Sequence, residues 1–291
     1  MKSFEYHETR SVQETIEILS SEEETRILAG GCGLLLLIKE KLFVPRAIVN
    51  IKKIPGLKYV TQKNGHIAIG TLTTHNEVKD APAVAEKIPL LSEALGYVAT
   101  DRIRNMATLG GTLTYADPTS DAAPALLALG ARVKAEGKGG EREIALEDFF
   151  EDYFETVLPP DEMLTEIIVP VQPDRCGAYY TRFEVRKAMD KAMPGIAVLL
   201  VLEDDLRTIK VARIGMSGVG NKCIRLPEAE AFLQGKEDHE EIRRNINEIV
   251  KHNIDPIDDY HYSAEYKKEV SGVLMERVFT EAYRRATNQK S

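Results

Sequence analysis

Residues 107–121, Ala-Thr-Leu-Gly-Gly-Thr-Leu-Thr-Tyr-Ala-Asp-Pro-Thr-Ser-Asp, form the stretch from which a fold and a ligand site are predicted. Gly110 and Gly111 let the backbone take positive φ and approach a ligand closely. Successive amides in such a turn make a concavity for phosphate oxygens. Polar side chains that bind hydroxyls, amides or phosphates flank the pair: Thr108, Thr112, Ser120 and Asp121. A single glycine pair of this kind is also typical of a tight turn with no ligand.

A second glycine turn, Leu28-Ala29-Gly30-Gly31-Cys32-Gly33-Leu34, strengthens the ligand hypothesis. It also follows an apolar run and precedes a helix-like apolar run. Two such loops in one chain indicate a long ligand that contains phosphate.

Composition limits the class of protein. A chain of 291 residues is long enough for two domains with a sizeable core. Its net charge of −8 argues against nucleic acid as a partner, since phosphate neutralisation needs clustered Lys and Arg. An acidic protein that binds a phosphorylated cofactor has to use local backbone amides, and the glycine loops meet that requirement.

The cysteines Cys32, Cys176 and Cys223 lie far apart, which excludes a CxxC pair, a zinc ribbon and an iron–sulfur site of usual spacing. Sparse, unpaired cysteines fit a reducing compartment. The first residues form no apolar signal region, and no apolar run approaches 18 residues. We therefore expect a cytoplasmic protein with no transmembrane segment.

The first 55 residues predict a strand–turn–helix–strand lobe. Ser11 and Glu14 form a capping box before a helix, and the remaining elements are a strand at 25–28, a helix at 34–42 and a strand at 47–51.

The next segment predicts a second lobe of short strands and helices. The expected elements are strands at 57–60 and 66–70, helices at 89–99 and 122–129, a hairpin at 133–144 and a strand at 162–170. Thr74 is a candidate cap for a further helix, and the carboxylate of Asp121 is a candidate N-cap for the helix at 122–129.

Pro170-Val-Gln-Pro-Asp174 marks the best domain boundary in the chain. Beyond it, three strands are expected as an antiparallel meander at Tyr179–Arg186, 196–203 and 208–215. Helices follow at 227–233, 240–252 and 264–286.

Few residues point to catalysis. The six histidines show no metal-binding spacing, so no metal site is predicted. His75 lies in a polar turn, where a solvated loop histidine is favoured over a ligand contact. No general base or nucleophile stands out and no catalytic residue is assigned. Either the chain does not catalyse a reaction alone, or a cofactor supplies the chemistry.

Several motifs in a fixed order resemble one family. They are Ala29-Gly-Gly-x-x-Leu34, Gly70-Thr-Leu-Thr-Thr-His75, Ile103-Arg-Asn105, Thr108-Leu-Gly-Gly-Thr112 and Asp117-Pro-x-x-Asp121. The chain resembles the FAD-binding medium subunit of the molybdenum hydroxylases, the family of xanthine dehydrogenase and aerobic carbon monoxide dehydrogenase. The run from Pro45 to Val60 looks most like the carbon monoxide dehydrogenase type.

The resemblance implies an α+β fold. A two-lobed PCMH-type FAD-binding module would occupy residues 1–173, with lobes of about 1–55 and 56–173. A three-stranded antiparallel sheet with a helical bundle would occupy residues 174–291, as in carbon monoxide dehydrogenase flavoproteins.

The resemblance also implies which residues bind FAD. The first loop would hold the pyrophosphate, and the second would contact pyrophosphate and ribityl, while other positions would lie near the cofactor. These residues are Leu28, Ala29, Gly30, Gly31, Cys32, Gly33 and Leu34 in the first loop, Ala107, Thr108, Gly111, Thr112 and Leu113 in the second, and Val98, Ser120, Asp121 and Leu164 elsewhere.

Four positions depart from the pattern of the family that the chain resembles. Cys32-Gly33 stands where Thr-Asp or a Ser-Leu variant is usual, which removes a hydroxyl donor from the pyrophosphate loop. Thr112 stands where Asn is common after the glycine pair. Glu184 falls where relatives place a lysine or an aromatic residue, and a carboxylate beside the flavin ring would disfavour anionic reduced flavin.

The hypothesis that follows is an FAD subunit of a heterotrimeric molybdenum oxidoreductase, assembled as a dimer of heterotrimers. A small subunit would carry [2Fe–2S] clusters, a large one molybdopterin and the substrate site. FAD would pass electrons from the clusters to an external acceptor such as a quinone, NAD⁺ or O₂. The alternatives are a free-standing flavin oxidoreductase and a degenerate scaffold subunit that has lost FAD.

Overall fold

A computed structural model describes residues 4–173, 175–185 and 192–288. Three main sheets and the helices packed on them follow one another along the chain. Asp174, at the end of the predicted boundary, and Arg186, at the end of a predicted strand, lie outside the described residues.

The first sheet is small and parallel. Its strands lie in the order β1–β3–β2, with helices between them: β1 (Glu5–Glu8), α1 (Val12–Ser21), β2 (Thr25–Leu28), α2 (Leu34–Lys39) and β3 (Ala47–Asn50). Ser11 caps α1, because its hydroxyl accepts the Glu14 amide at 3.1 Å. The sequence did not indicate β1, whose mostly exposed polar residues pair with a strand some 40 residues later.

The second sheet has five antiparallel strands in the order β4–β5–β10–β6–β7. Its strands are β4 (Val60–Lys63), β5 (His66–Gly70), β6 (Arg132–Gly137), β7 (Gly140–Ala145) and β10 (Met163–Pro170), and a separate two-stranded ribbon consists of β8 (Phe150–Asp152) and β9 (Glu155–Thr156). The predicted strand at 57–60 is wrong, since β4 begins only at Val60.

Six helices connect β5 to β6. They are α3 (His75–Lys79), α4 (Pro82–Lys87), α5 (Pro89–Tyr97), α6 (Asp101–Arg104), α7 (Leu109–Tyr115) and α8 (Ala122–Leu129). Thr74 is the N-cap of α3, as expected. Helix α7 lies within the glycine-rich stretch that the sequence indicated as a turn.

The third sheet is the antiparallel meander that was predicted. Its elements are β11 (Cys176–Arg182), β12 (Gly195–Leu202), β13 (Ile209–Ser217) and the two-residue β14 (Ile224–Arg225), followed by α9 (Pro227–Leu233), α10 (Glu240–Asn253) and α11 (Ala264–Thr287). The short fourth strand extends the three long ones at the β13 edge.

Helix α8 connects the second and third sheets. Each of its eight residues is buried, which agrees with its Ala/Leu composition. It packs against β12 and β13, and Gly215 of β13 lies directly on the Pro124 carbonyl. One apolar cluster therefore runs from the second sheet into the third.

Among the described residues, none of the helices combines the length and the apolar character that crossing a bilayer requires.

The packing of α11 on β11 predicts the effect of Gly177→Ala. An added methyl group would collide with the Ala282 carbonyl and lie 2.8 Å from the Ala286 Cα atom, so the helix would have to move off the sheet. We expect a loss of about 1–3 kcal/mol in the free energy of unfolding, measured in urea.

Gly139→Ala is the matched control, because nothing lies within 4 Å of the added methyl group in that hairpin turn. An equal loss of stability in both variants would contradict this packing.

Candidate functional site

The first glycine loop joins β2 to α2 and presents three unused amides. Gly31 has φ of +85°, and its carbonyl accepts from the Leu35 amide, so the loop carbonyls are directed into the helix. Within the described part of the chain, the amides of Gly31, Cys32 and Gly33 donate no hydrogen bond. Consecutive free amides of this kind form an anion-binding nest.

The second glycine stretch differs from the prediction. Gly110 and Gly111 are the second and third residues of α7, not a turn with positive φ. Their amides donate to Thr71 O at 3.2 Å and to the Thr108 hydroxyl at 3.1 Å. The predicted amide concavity at this pair is therefore wrong, because the helix cap and the neighbouring chain take up its donors.

Helix α7 is held against the segment that follows β5. Thr108 forms an isolated antiparallel bridge with Thr74. Leu109 donates its amide to Thr73 O at 3.0 Å, and His75 donates its amide to Ala107 O at 3.1 Å. These bonds fix the start of the helix on the Gly70–His75 motif.

The two glycine loops lie in direct contact. A side chain at residue 30 would collide with the Met106 carbonyl and lie 2.9 Å from the Ala107 Cα atom. A methyl group on Gly111 would lie 3.8 Å from the Ala29 side chain. The loop at residues 28–33 and the segment at residues 106–112 thus form one wall, which continues into the half-buried start of α2 at Leu34.

Cys32 is half-buried within this wall. Burial raises the pKa of its thiol above the ordinary 9.0, and the positive charge of Lys52 opposes the shift. The residue therefore presents a neutral thiol and its backbone amide.

The structure corrects the expectation that His75 is a solvated loop histidine. His75 is 1 % exposed, and its Nε2 atom lies 2.7 Å from the Thr112 hydroxyl oxygen. Burial lowers the pKa of His75 from 6.5 to about 4; Arg104 adds to this shift, and a weaker contact with the Thr108 backbone, outside hydrogen-bond geometry, opposes it. The ring is therefore neutral at pH 7.

Arg104 of the Ile103-Arg-Asn105 motif makes contacts that the sequence did not reveal. Its buried guanidinium donates to Val98 O at 2.6 Å and to Asn76 Oδ1 at 3.1 Å, and it forms an ion pair with Asp101. Arg104 thus links Val98, at the end of α5, to Asn76, the residue that follows His75.

Two apolar residues assigned to FAD belong to the core. Leu113 is fully buried, and Leu164 of β10 is 3 % exposed and pairs with Ala135. Both belong to one apolar cluster beneath the site, so in this structure their side chains support the wall from its core side.

Asp121 is held by the third sheet. The Arg182 guanidinium donates to both carboxylate oxygens at 2.8 and 3.1 Å, and the Tyr180 hydroxyl donates at 2.6 Å. Burial raises the pKa of Asp121, and the charge of Arg182 opposes that shift. Asp121 is the N-cap residue of α8, as predicted. The predicted capping by its carboxylate is wrong, since the side chain makes no capping bond and the Ser120 hydroxyl accepts the Ala123 amide at 3.4 Å instead.

Glu184 is paired with the same arginine. Its carboxylate accepts from Arg182 Nε at 3.1 Å, and the guanidinium also lies 5.7 Å from the centre of the Tyr97 ring. One guanidinium thus pairs with two carboxylates. The sequence places Glu184 two residues from Arg182, but the other partner, Asp121, lies 61 residues away.

Comparison with known proteins decides the family. Residues 2–172 match the FAD binding domain in molybdopterin dehydrogenase, and residues 178–282 match the CO dehydrogenase flavoprotein C-terminal domain. This chain belongs to the molybdopterin dehydrogenase FAD-binding family. It is an FAD-binding medium subunit of an oxidoreductase of the molybdenum hydroxylase type.

Relatives match this medium subunit over nearly its whole length. The 6-hydroxypseudooxynicotine dehydrogenase complex subunit alpha of Paenarthrobacter nicotinovorans is 32% identical, with 99% of this chain and 97% of the relative covered. A carbon monoxide dehydrogenase structure from Hydrogenophaga pseudoflava superposes with a TM-score of 0.93 at 29% identity, covering 97% and 98%. Quinoline 2-oxidoreductase from Pseudomonas putida 86 gives 0.92 at 28% identity, covering 99% and 100%. The predicted α+β fold and family are confirmed.

The buried pair in the medium subunit predicts the effect of Arg182→Met. Removing one partner leaves Asp121 buried with Tyr180 alone, so we expect the free energy of unfolding to fall by about 3–5 kcal/mol. Adding Asp121→Asn should recover much of this loss, because no unpaired charge then remains. Urea unfolding measures both.

The control is Arg244→Gln, which breaks an exposed pair with Glu240 on α10. Such pairs are worth about 0.5 kcal/mol. If Arg182→Met costs no more than this control, the buried pair does not hold the sheets together.

His75 predicts a pH dependence of stability. Its pKa is lowered on folding, so the unfolded chain binds the proton first and stability falls as pH drops from 6.5 towards 4. Between pH 6.5 and 4.5 the expected loss is about 2 kcal/mol.

His75→Gln should make the urea-unfolding profile flatter by this amount. A profile as steep as that of the unmodified chain would show that other groups cause the acid sensitivity.

Proposed function

We propose that this medium subunit holds FAD as an electron relay between a partner [2Fe–2S] subunit and an external acceptor. Substrate oxidation takes place on a separate large subunit that carries molybdopterin. The three chains form a heterotrimer, which pairs into a dimer of heterotrimers.

The observation that carries the proposal is the nest of unused amides at Gly31–Gly33 in contact with the start of α7. A diphosphate needs several donors within a small volume, and the net charge of −8 gives the chain as a whole no attraction for it. Three consecutive amides meet this need without any added charge. The first loop is therefore the place for the diphosphate.

The other residues assigned to FAD would contact the rest of the cofactor. Thr108, Thr112 and Ser120 offer side-chain hydroxyls, and Asp121, already neutralised by Arg182, offers carboxylate oxygens to ribityl or adenosine hydroxyls. Leu113 and Leu164 support the wall from the core, and Val98 lies at the end of the α5 helix clamped by Arg104.

Bound FAD supplies the conversion between one-electron and two-electron transfer. The chain itself supplies binding and orientation, which fits the absence of an assigned base or nucleophile in its sequence. Arg182 pairs with Glu184 as well as with Asp121, so one guanidinium is shared by two carboxylates.

The test is FAD uptake by the purified full chain. We expect the visible spectrum of oxidised flavin and release of FAD on denaturation. Gly31→Ala should weaken FAD binding at least about tenfold, because a side chain at φ +85° is strained and its methyl would lie 3.0 Å from Leu35.

Gly56→Ala is the matched control, since φ is +79° and nothing lies within 4 Å of the added methyl. It should lower stability and leave FAD affinity unchanged. A reduced [2Fe–2S] partner subunit should then bleach the flavin spectrum. A folded chain that takes up no FAD would contradict the proposal and leave the scaffold role, and bleaching by a small substrate alone would favour a free-standing oxidoreductase.

A further inference from the structure

Thr112 holds an unusual position among the hydroxyls of α7. It is partly exposed at the first turn of the helix, yet its oxygen contacts a histidine that is only 1 % exposed, at 2.7 Å from Nε2. A buried ring thus contacts the hydroxyl of a residue assigned to the proposed FAD site.

The neighbouring hydroxyls make different bonds. Thr114 donates its hydroxyl hydrogen to Gly110 O at 3.0 Å, so that hydrogen is used within the helix. Thr108 Oγ1 accepts the Gly111 amide on one lone pair, which leaves its own hydrogen for a ligand. The amides of residues 109–112 are also used within the protein. In the described part of the chain, the Thr112 hydroxyl contacts His75 alone.

The tautomer of His75 decides what that hydroxyl can do. Nδ1 is buried and has no hydrogen-bond partner among the described residues. A proton there would be a buried donor without an acceptor, which is costly. The proton of the neutral ring therefore lies on Nε2, which donates to Thr112 Oγ1.

We propose that His75 is a positioning residue that donates to Thr112 and thereby reserves the Thr112 hydroxyl hydrogen for a diphosphate oxygen of FAD. This inference rests on the proposed function. A hydroxyl has one hydrogen and two lone pairs, so a donor on one lone pair turns the hydrogen towards another acceptor.

A neutral His75 ring is suited to orienting the Thr112 hydroxyl. With its pKa at about 4, the ring carries no charge at pH 7 and acts on the hydroxyl only by orientation. The amides of the second loop already bond within the protein, so the Thr112 hydroxyl gives this loop one donor for the ligand.

A double-mutant cycle on the FAD dissociation constant of the full chain tests the inference. His75→Leu should weaken FAD binding about fivefold to tenfold, because the hydroxyl is retained but no longer oriented. Thr112→Val should weaken it about tenfold to a hundredfold, as expected for a lost bond to a charged group. In the Thr112→Val background, His75→Leu should cost less than about twofold.

Two variants separate positioning from packing. His75→Gln places an amide donor near the Nε2 position and should restore binding to within about threefold of the unmodified chain. Thr114→Val removes a hydroxyl that is bonded to the helix backbone and should leave FAD affinity unchanged.

The outcomes separate this inference from the proposed function. If the unmodified chain binds no FAD, the proposed function fails. If the chain binds FAD but the effects of His75→Leu and Thr112→Val are additive, or if His75→Gln binds as weakly as His75→Leu, the positioning role fails alone. Thermal unfolding of the FAD-free variants identifies any that do not fold.

Discussion

The site depends on one main-chain contact, the approach of Gly30 to the backbone of Met106 and Ala107. No Cβ atom fits between these segments, so the first lobe meets the second backbone to backbone. The backbone at Met106 and Ala107 is fixed in position, because α7 is hydrogen-bonded to the chain that follows β5. Two loops from different sheets thereby become one rigid wall, which preorganises its donors for a ligand.

The two glycine motifs perform different tasks although they look alike. In the first, a positive φ at Gly31 turns the carbonyls into α2 and leaves consecutive amides unused. In the second, Gly110 lets α7 pack on Thr71 and the amides are consumed by that packing. Donors for a ligand then come from the backbone on one side and from the Thr112 hydroxyl on the other.

The wall carries little unpaired negative charge. The Cys32 thiol is protonated, and Asp121 is paired with Arg182 from the third sheet. A chain with a net charge of −8 would otherwise repel a diphosphate. The Arg182 contact also makes the C-terminal sheet part of the same electrostatic unit, since removing either partner would strand a buried charge.

The sequence alone predicts the strand at Thr25–Leu28, the buried helix at Ala122–Leu129 and the first glycine loop, and the resemblance of its ordered motifs indicates the family. The three elements depend on local apolar runs and on turn chemistry, which neighbouring residues specify. The folded chain is needed to show that the stretch after Ala107 is helical, that His75 is buried on Thr112 and that Asp121 pairs with Arg182. Each of these depends on groups brought together from distant parts of the chain, and such long-range hydrogen bonds leave no periodic signal in the sequence.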